Sequence, residues 1–306
     1  MRIETAVATR KRAGKRTQKR AWRKGGRSAA TVATIVCGYA ISVCTPAHAQ
    51  TPSPLAEWQY SSGIPLQKLY GESQPDWQFR LGAATTFQPR YDGADRYHMM
   101  AGPSFDLRYR DLFFASTGDG IGANVINGTH WRTSIAIAYD LGRRAADDQQ
   151  HLHGLGNINA APEIKIATDY VISKDFPLVL RADIRRSLGG TDGWVGDLGA
   201  YMPLPGSSEK FYWFGGPTMT FADSRYMNRW FGVSSEQSVR SGYPRYSANA
   251  GLKSVGAGIT MVWFFRKHWF MTADGAIEQL VGRAAHSPIT QSSTNAVVDV
   301  SVNYAF

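Results

Sequence analysis

The last eleven residues, Ala296 to Phe306, alternate strictly in polarity and stop on an aromatic ring. Val298, Val300, Val302, Tyr304 and Phe306 share one side of an extended chain, and Val297, Asp299, Ser301, Asn303 and Ala305 share the other. Successive side chains of a strand point to opposite faces, so this end of the chain reads as a strand with one apolar and one mostly polar face. Two settings suit such a strand. In a soluble sandwich the apolar face meets a core; in a transmembrane barrel it meets lipid while the polar face lines a wet lumen. The strand alone leaves both open.

The other end of the chain narrows the choice. Eleven Lys and Arg lie between Arg2 and Arg27 against the single acid Glu4, an apolar run follows from Ala29 to Cys44, and Ala47-His48-Ala49 is a small-x-small site. This is the order of a secretory signal peptide, expected to span residues 1–49, with an apolar run too short to cross a bilayer as a helix. A start codon downstream of Met1 would leave the same mature chain. Neither Cys37 nor Cys44 follows the small residue expected before a lipidated cysteine. With the leader go eleven of the 34 basic residues and one of the 24 acids, leaving 23 of each, so the net charge of +10 is no argument for nucleic acid binding. Both cysteines leave as well, and with them any disulfide, thiol nucleophile or Cys metal site.

Beyond the leader no apolar segment approaches the twenty residues of a membrane helix. Instead, stretches of about ten residues alternate in polarity between turn residues, which is the pattern of an outer-membrane barrel. Strands are expected near 77–87, 96–109, 112–118, 121–127, 131–141, 162–172, 178–188, 192–204, 211–222, 252–265, 269–278 and 296–306, giving an all-β, antiparallel barrel of about twelve strands, with ten as the alternative. Charge falls on one face throughout: Asp106, Arg108 and Arg110 oppose Phe105, Leu107 and Tyr109; Glu163, Lys165 and Asp169 oppose Ile164, Ile166 and Tyr170; Arg181, Asp183 and Arg185 oppose Leu180, Ala182 and Ile184. Asp106, Arg108, Glu163, Lys165, Asp169, Arg181, Asp183, Arg185 and Asp299 are expected to pair across the lumen, while Arg110-Asp111 falls in a short turn. The long connections 88–95, 142–161, 223–251 and 279–295 sort to one side, the external one, and most short turns to the other, as barrels require. Trp77, Trp131, Trp194, Phe211, Tyr212, Trp213, Trp263 and Trp269 stand near strand ends, where interfacial girdles belong.

Several short stretches, in this order and spacing, resemble the MipA/OmpV group of outer-membrane proteins: Tyr91-Asp92-Gly93, Gly154-Leu155-Gly156, Gly216-Pro217, Ala222 to Met227 leading to Phe231-Gly232-Val233-Ser234, Ser287-Pro288-Ile289, and the final Tyr304-Ala305-Phe306. The resemblance covers roughly 77–306. It implies an outer-membrane barrel without catalytic residues, and a scaffold joining a lytic murein transglycosylase to a murein-synthesising penicillin-binding protein; other members resemble porin-like proteins. One departure is visible: Arg283 and His286 stand where acids are expected, which makes the last external loop more basic.

Chemistry-bearing residues are few. His151 and His153 with Asp147 and Asp148 have the donor types of a zinc site but lie in an external loop without Cys or helical His spacing. His286-Ser287 is the one tempting nucleophile and base, yet neighbours on an extended segment point apart. No cofactor, metal or catalytic residue is therefore assigned. The loop 223–251, with Tyr226, Met227, Trp230, Phe231 and Tyr243, is expected to tuck into the barrel mouth, because exposed apolar loops of that length are disfavoured. Residues 50–76 read as an irregular periplasmic arm, and Trp58, Tyr60, Ile64, Leu66, Leu69 and Tyr70 are its candidate docking residues for a periplasmic partner, with a plain linker as the alternative. The expected function is a non-enzymatic scaffold in the outer membrane; a narrow channel for small solutes or ions is the alternative, and a hydrolase a distant third. Its other contacts are outer-membrane lipid and the barrel-assembly machinery, which would read Val298 to Phe306.

Overall fold

The computed structural model describes residues 75–208 and 210–306. The leader and all six candidate docking residues, Trp58, Tyr60, Ile64, Leu66, Leu69 and Tyr70, lie outside the described residues.

Among the described residues twelve strands follow one another around a closed antiparallel barrel. They are β1 (Trp77–Pro89), β2 (Tyr97–Tyr109), β3 (Phe113–Ser116), β4 (Gly120–Asn127), β5 (Trp131–Asp140), β6 (Ala161–Val171), β7 (Val179–Ser187), β8 (Trp194–Pro203), β9 (Phe211–Ala222), β10 (Gly251–Phe264), β11 (Trp269–Leu280) and β12 (Thr294–Ala305). Each expected strand is present, with ends shifted by a few residues at most. The terminal strand closes the ring by pairing with β1, from Phe87 opposite Val298 to Arg80 opposite Ala305, and the Phe306 amide donates to the Phe79 carbonyl at 3.0 Å. Closure leaves no edge, which is what allows a sheet to exist in lipid, where an unpaired backbone group costs several kcal/mol.

The polarity alternation becomes an inside and an outside. On β12, Val298, Val300 and Val302 are 47%, 39% and 40% exposed, whereas Asp299, Ser301 and Asn303 between them are 3%, 2% and 5% exposed. Aromatic pairs mark both rims of the apolar band. Trp77 meets Tyr109, Trp131 meets Tyr170, and Trp269 meets Tyr304 at the short-turn end, with Phe87 on Tyr97 at the other. Arg110 and Asp111 form the expected short turn, at positive φ, and the Arg110 guanidinium reaches Asp76 at 2.8 Å. Tyr212 is no girdle aromatic, because it packs inside the barrel with Phe214 and Phe264.

The long connections fold rather than trail. Loop 142–160 carries a turn of 3-10 helix and α1 (Gln149–Leu152); loop 223–250 carries α2 (Ser224–Phe231) and α3 (Ser235–Ser241); the last carries α4 (Gly282–Ala285). Asp223 caps α2 by accepting from the Tyr226 amide at 2.8 Å. Ser234 and Gln237 cap α3 reciprocally, and Gly242, at φ +78°, ends it. The spacing of Tyr226, Met227, Trp230 and Phe231 puts all four on one face of α2, and that face is turned inward.

Candidate functional site

The lumen is filled in three layers. At the short-turn end Val171, Val179, Tyr201 and Phe214 form a buried apolar cluster inside the barrel, with Tyr212 against it. Phe264 and Phe270 extend it at 5.4 Å between ring centres, and the Arg80 guanidinium lies over the Phe270 ring. This layer was unforeseen because it depends on register: Val171, Val179 and Tyr201 stand opposite one another on neighbouring strands, and inward apolar residues near strand ends look in sequence like ordinary girdle positions.

The middle layer is a chain of ion pairs on the β1–β9 wall. Asp106 accepts from Arg80 at 3.3 Å and from Arg108 at 3.0 Å; Arg108 also reaches Asp119 at 3.1 Å, and Lys165 lies 3.7 Å from the same carboxylate. Beside it Asp169 accepts from Arg132 at 2.7 Å and Arg181 at 3.0 Å, Asp183 lies between Arg181 and Arg185, and Arg185 pairs with Asp197, which Thr220 also contacts. Glu163 is buried on the same face. Cross-strand placement produces this chain, since Asp169 stands directly opposite Arg132 on one neighbour and Arg181 on the other. Arg80, Asp119 and Asp197 belong to it and were not singled out from sequence, and Arg132 joins it from the expected charged face of β5.

Asp299 is set apart from that chain, contrary to expectation. Thr86 donates to it at 2.5 Å, and directly across β11–β12 it faces Asp274, which is buried with Oδ1 lacking a hydrogen-bond partner. Strand alternation gave its face correctly. Which charges it met depended on the register and on the distance around the ring to the arginines.

The third layer is a cap in which every long external connection takes part. Tyr226, Met227 and Phe231 of α2 pack with Val195, Leu280, Ala248 and Ala284; Tyr91, Ala94, Leu152, Leu155, Val233 and Ile289 form an adjoining cluster. The expected tucking of 223–251 is thus present, as two helices with their apolar face downward. Polar ties join the layers. Lys253, wholly buried where β10 carries a bulge, donates to Asp92 at 2.8 Å and lies 3.1 Å from Glu278. Burial pushes the Tyr226 and Tyr91 hydroxyls well above their ordinary titration range, so both stay neutral at physiological pH.

The stretches that carry the family resemblance meet here. The Tyr91 hydroxyl donates to the Ile289 carbonyl at 3.2 Å, and Gly93, at φ +93°, donates to Asn295 and accepts from Gln291 and Ser292. Gln237 donates to the Leu155 carbonyl at 2.6 Å, and a Cβ on Gly154 would lie 2.6 Å from the Arg240 backbone. The Ser287 hydroxyl donates to the Phe231 carbonyl at 2.6 Å, whereas His286 hydrogen-bonds the Gly282 carbonyl. Those two residues are therefore engaged apart from each other, at the end of α4 rather than on an extended segment, and they tie loops together. The donors grouped around His151 are also redistributed. Asp147 pairs with Arg144, His153 is exposed, and Asp95 joins Asp148 and His151 within 4.8 Å. Burial raises the Asp148 carboxyl, but the His151 hydrogen bond and the charges of His151 and Arg96 outweigh it and hold the group below its ordinary range.

The family model described as "MltA-interacting protein MipA" matches residues 81–306. No curated protein matches the chain in sequence. Among solved structures, the outer membrane protein OprD from Pseudomonas aeruginosa aligns with a TM-score of 0.32 at 8% identity, over 78% of this chain and 61% of its own. The CymD monoaromatic hydrocarbon channel aligns with a TM-score of 0.39 at 7% identity over 84% and 94%, and in-vitro folded OmpT of Vibrio cholerae with 0.30 at 6% over 76% and 99%. The chain thus spans about three fifths of OprD. Likenesses at these scores say nothing about what it does.

Proposed function

The chain belongs to the MltA-interacting protein MipA family, a family of outer-membrane β-barrels, and from that premise we propose that it is a non-enzymatic scaffold. Its task on this reading is to hold a lytic murein transglycosylase and a murein-synthesising penicillin-binding protein against the outer membrane. The observation that carries the reading is the filling of the lumen by an apolar layer, an ion-pair chain and a folded cap, an investment in rigidity that a scaffold uses and a wide diffusion pore does not. Residues 1–49 are then a removed signal peptide and residues 50–76 the periplasmic arm, with Trp58, Tyr60, Ile64, Leu66, Leu69 and Tyr70 as aromatic and aliphatic anchors. The arm is assigned this task because the periplasmic turns are short and offer a partner little surface.

The test is cross-linking in living cells, comparing the intact chain with one lacking residues 52–74 after both are shown to assemble. Murein hydrolases or synthases captured only by the intact chain is the expected result. Equal capture by both, or by neither, overturns the arm as the docking element.

A second reading, a narrow cation-selective channel, is favoured by the Asp274–Asp299 pair. Two inward carboxylates face each other there with no ion-pair partner among the described residues, beside small inward residues such as Gly256, Gly258 and Ala84. If current flows along that wall, Asp274→Asn with Asp299→Asn abolishes cation preference in planar bilayers. The scaffold reading expects negligible conductance before and after.

A further inference from the structure

Between α2, α3 and the loop before β6 the cap forms an open cavity of about 1110 Å³, at the upper end of the size of small-molecule sites. Its lining is unusually basic. Arg143, Arg225, Arg229, Arg240 and Arg245 all contribute to it, against only Asp192 and Glu236. Arg225 is paired with Asp192 at 3.0 Å, and Asp192 is shared with Arg186. Among the described residues the other four arginines have no carboxylate partner.

Arg143 is the informative one. It is 3% exposed, held between the rings of Tyr91 and Trp230 with its charged carbon 5.9 Å from each ring centre, and its Nη1 donates to the Trp230 carbonyl at 2.8 Å. Its Nε has no hydrogen-bond partner, and burial pushes its pKa down to about 10. The Asp92 charge acts on it from beyond ion-pair distance and is already engaged by Lys253, so this buried cation has no ion-pair partner of its own, an unfavourable feature for a fold to carry. A second buried group in the same lining is also unsatisfied: the hydroxyl of Thr191, which is 1% exposed. Two orphaned polar groups and three exposed arginines without a carboxylate partner, of which Arg240 bonds only the Gly154 carbonyl, call for an occupant that accepts hydrogen bonds and carries more than one negative charge.

We propose that this cavity binds a small phosphorylated solute of saccharide size, with the phosphate seated against Arg143 and Thr191 and the body of the ligand bordered by Arg229, Arg240 and Arg245. Phosphate suits the site because it brings close to two negative charges and several strong acceptor oxygens, and because arginine engages it in two-pronged fashion. The same group can arrive on a free solute from outside the cell or on the headgroup of a phosphorylated glycolipid of the outer leaflet.

Calorimetric titration of the full chain in neutral detergent with inorganic pyrophosphate, at ionic strength matched with sodium chloride, tests the site. Saturable binding to one site is expected, weakened at least tenfold by Arg143→Gln and again by the exposed double change Arg229→Gln with Arg245→Gln. The control Arg266→Gln, in a turn at the opposite end of the barrel, leaves binding unchanged. Because the exposed pair does not bear on folding, unaltered affinity in that variant overturns the proposal whatever Arg143→Gln does, and so does the absence of saturable heat in the unaltered chain. A parallel phosphorus analysis of protein taken directly from outer membranes separates the sources. Glycolipid displaced by pyrophosphate identifies a headgroup as the ligand, and binding without displaced glycolipid identifies a free solute; either supports the site.

Discussion

Replacing Lys253 by Met should loosen the external cap while leaving the barrel intact. The Lys253 ammonium is wholly buried, 2.8 Å from Asp92 on the first external loop and 3.1 Å from Glu278 on β11, and it is the contact through which loop 88–95 is tied to the β10–β11 wall. Methionine fills a similar volume, so the change removes a charge more than it creates a hole. Breaking a buried ion pair from one side costs roughly 3–5 kcal/mol, because the partner is left charged and dry. Here two carboxylates are stranded together, which places the expected cost toward the upper end of that range, about 4–5 kcal/mol. At 1.4 kcal/mol per decade the open fraction of the cap rises on the order of a thousandfold. Limited proteolysis of the folded protein reads that fraction, since Arg229 and Arg240 become cleavable when α2 and α3 lift away. Adding Glu278→Gln to Lys253→Met removes one stranded charge and should recover a substantial part of the loss, with a clear interaction energy in the double-mutant cycle. If Lys253→Met is cleaved no faster than the unaltered chain, the triad does not hold the cap. If the two changes simply add, the coupling argued from their 3.1 Å contact is wrong.

Deleting Phe306 should lower the folded fraction recovered from outer membranes, measured by heat-modifiable migration, because its amide bonds Phe79 and its ring stacks on Phe79 and meets Tyr304 edge-on, both at 4.9 Å; full recovery would count against Val298 to Phe306 as the assembly signal. Tyr201→Ala should cost about 3–5 kcal/mol in urea unfolding by emptying the periplasmic apolar layer and should raise bilayer conductance, whereas unchanged conductance would mean that the ion-pair chain and cap suffice to block the lumen. The Asp148 carboxyl, held below its ordinary range of about 3.8 in the folded protein, contributes stability at neutral pH that is lost as pH falls through its lowered folded value. Asp148→Asn should therefore flatten the acid limb of the stability curve below about pH 4, and an unchanged limb would refute the assignment.

Much of the architecture was legible because a barrel strand carries its whole instruction locally. Period-two alternation on β5, β6, β7 and β12 assigns side chains to two faces, and turns between segments of about ten residues give a count near twelve, without knowledge of any partner strand. The cap was legible only in part. The capping signals at Asp223 and at Ser234 with Gln237 are local and could have announced α2 and α3; the amphipathic face of α2 at Tyr226, Met227, Trp230 and Phe231 was there to be read as well. Masking by length is the reason they were taken for a tucked loop, since helices of seven or eight residues barely rise above irregular chain in sequence.

What the sequence by itself determined, then, is a barrel of about twelve strands with its charge on one face, because polarity alternation is a property of consecutive residues; closure at twelve is seen in the fold. Tertiary structure alone decided which charges meet. Asp169 gains two arginines while Asp299, on an equally well-formed strand, faces another carboxylate. Tyr212 and Phe214 of β9 join an apolar layer with Tyr201 and Val179 on the neighbouring strands β8 and β7, and Arg143 is left without an ion-pair partner where Tyr91 and Trp230 close on it. Some of these partners lie only 12 positions apart, as Asp169 and Arg181 do, and others come from separate loops, as Tyr91 and Trp230 around Arg143 do, so register and loop packing rather than local pattern decide them.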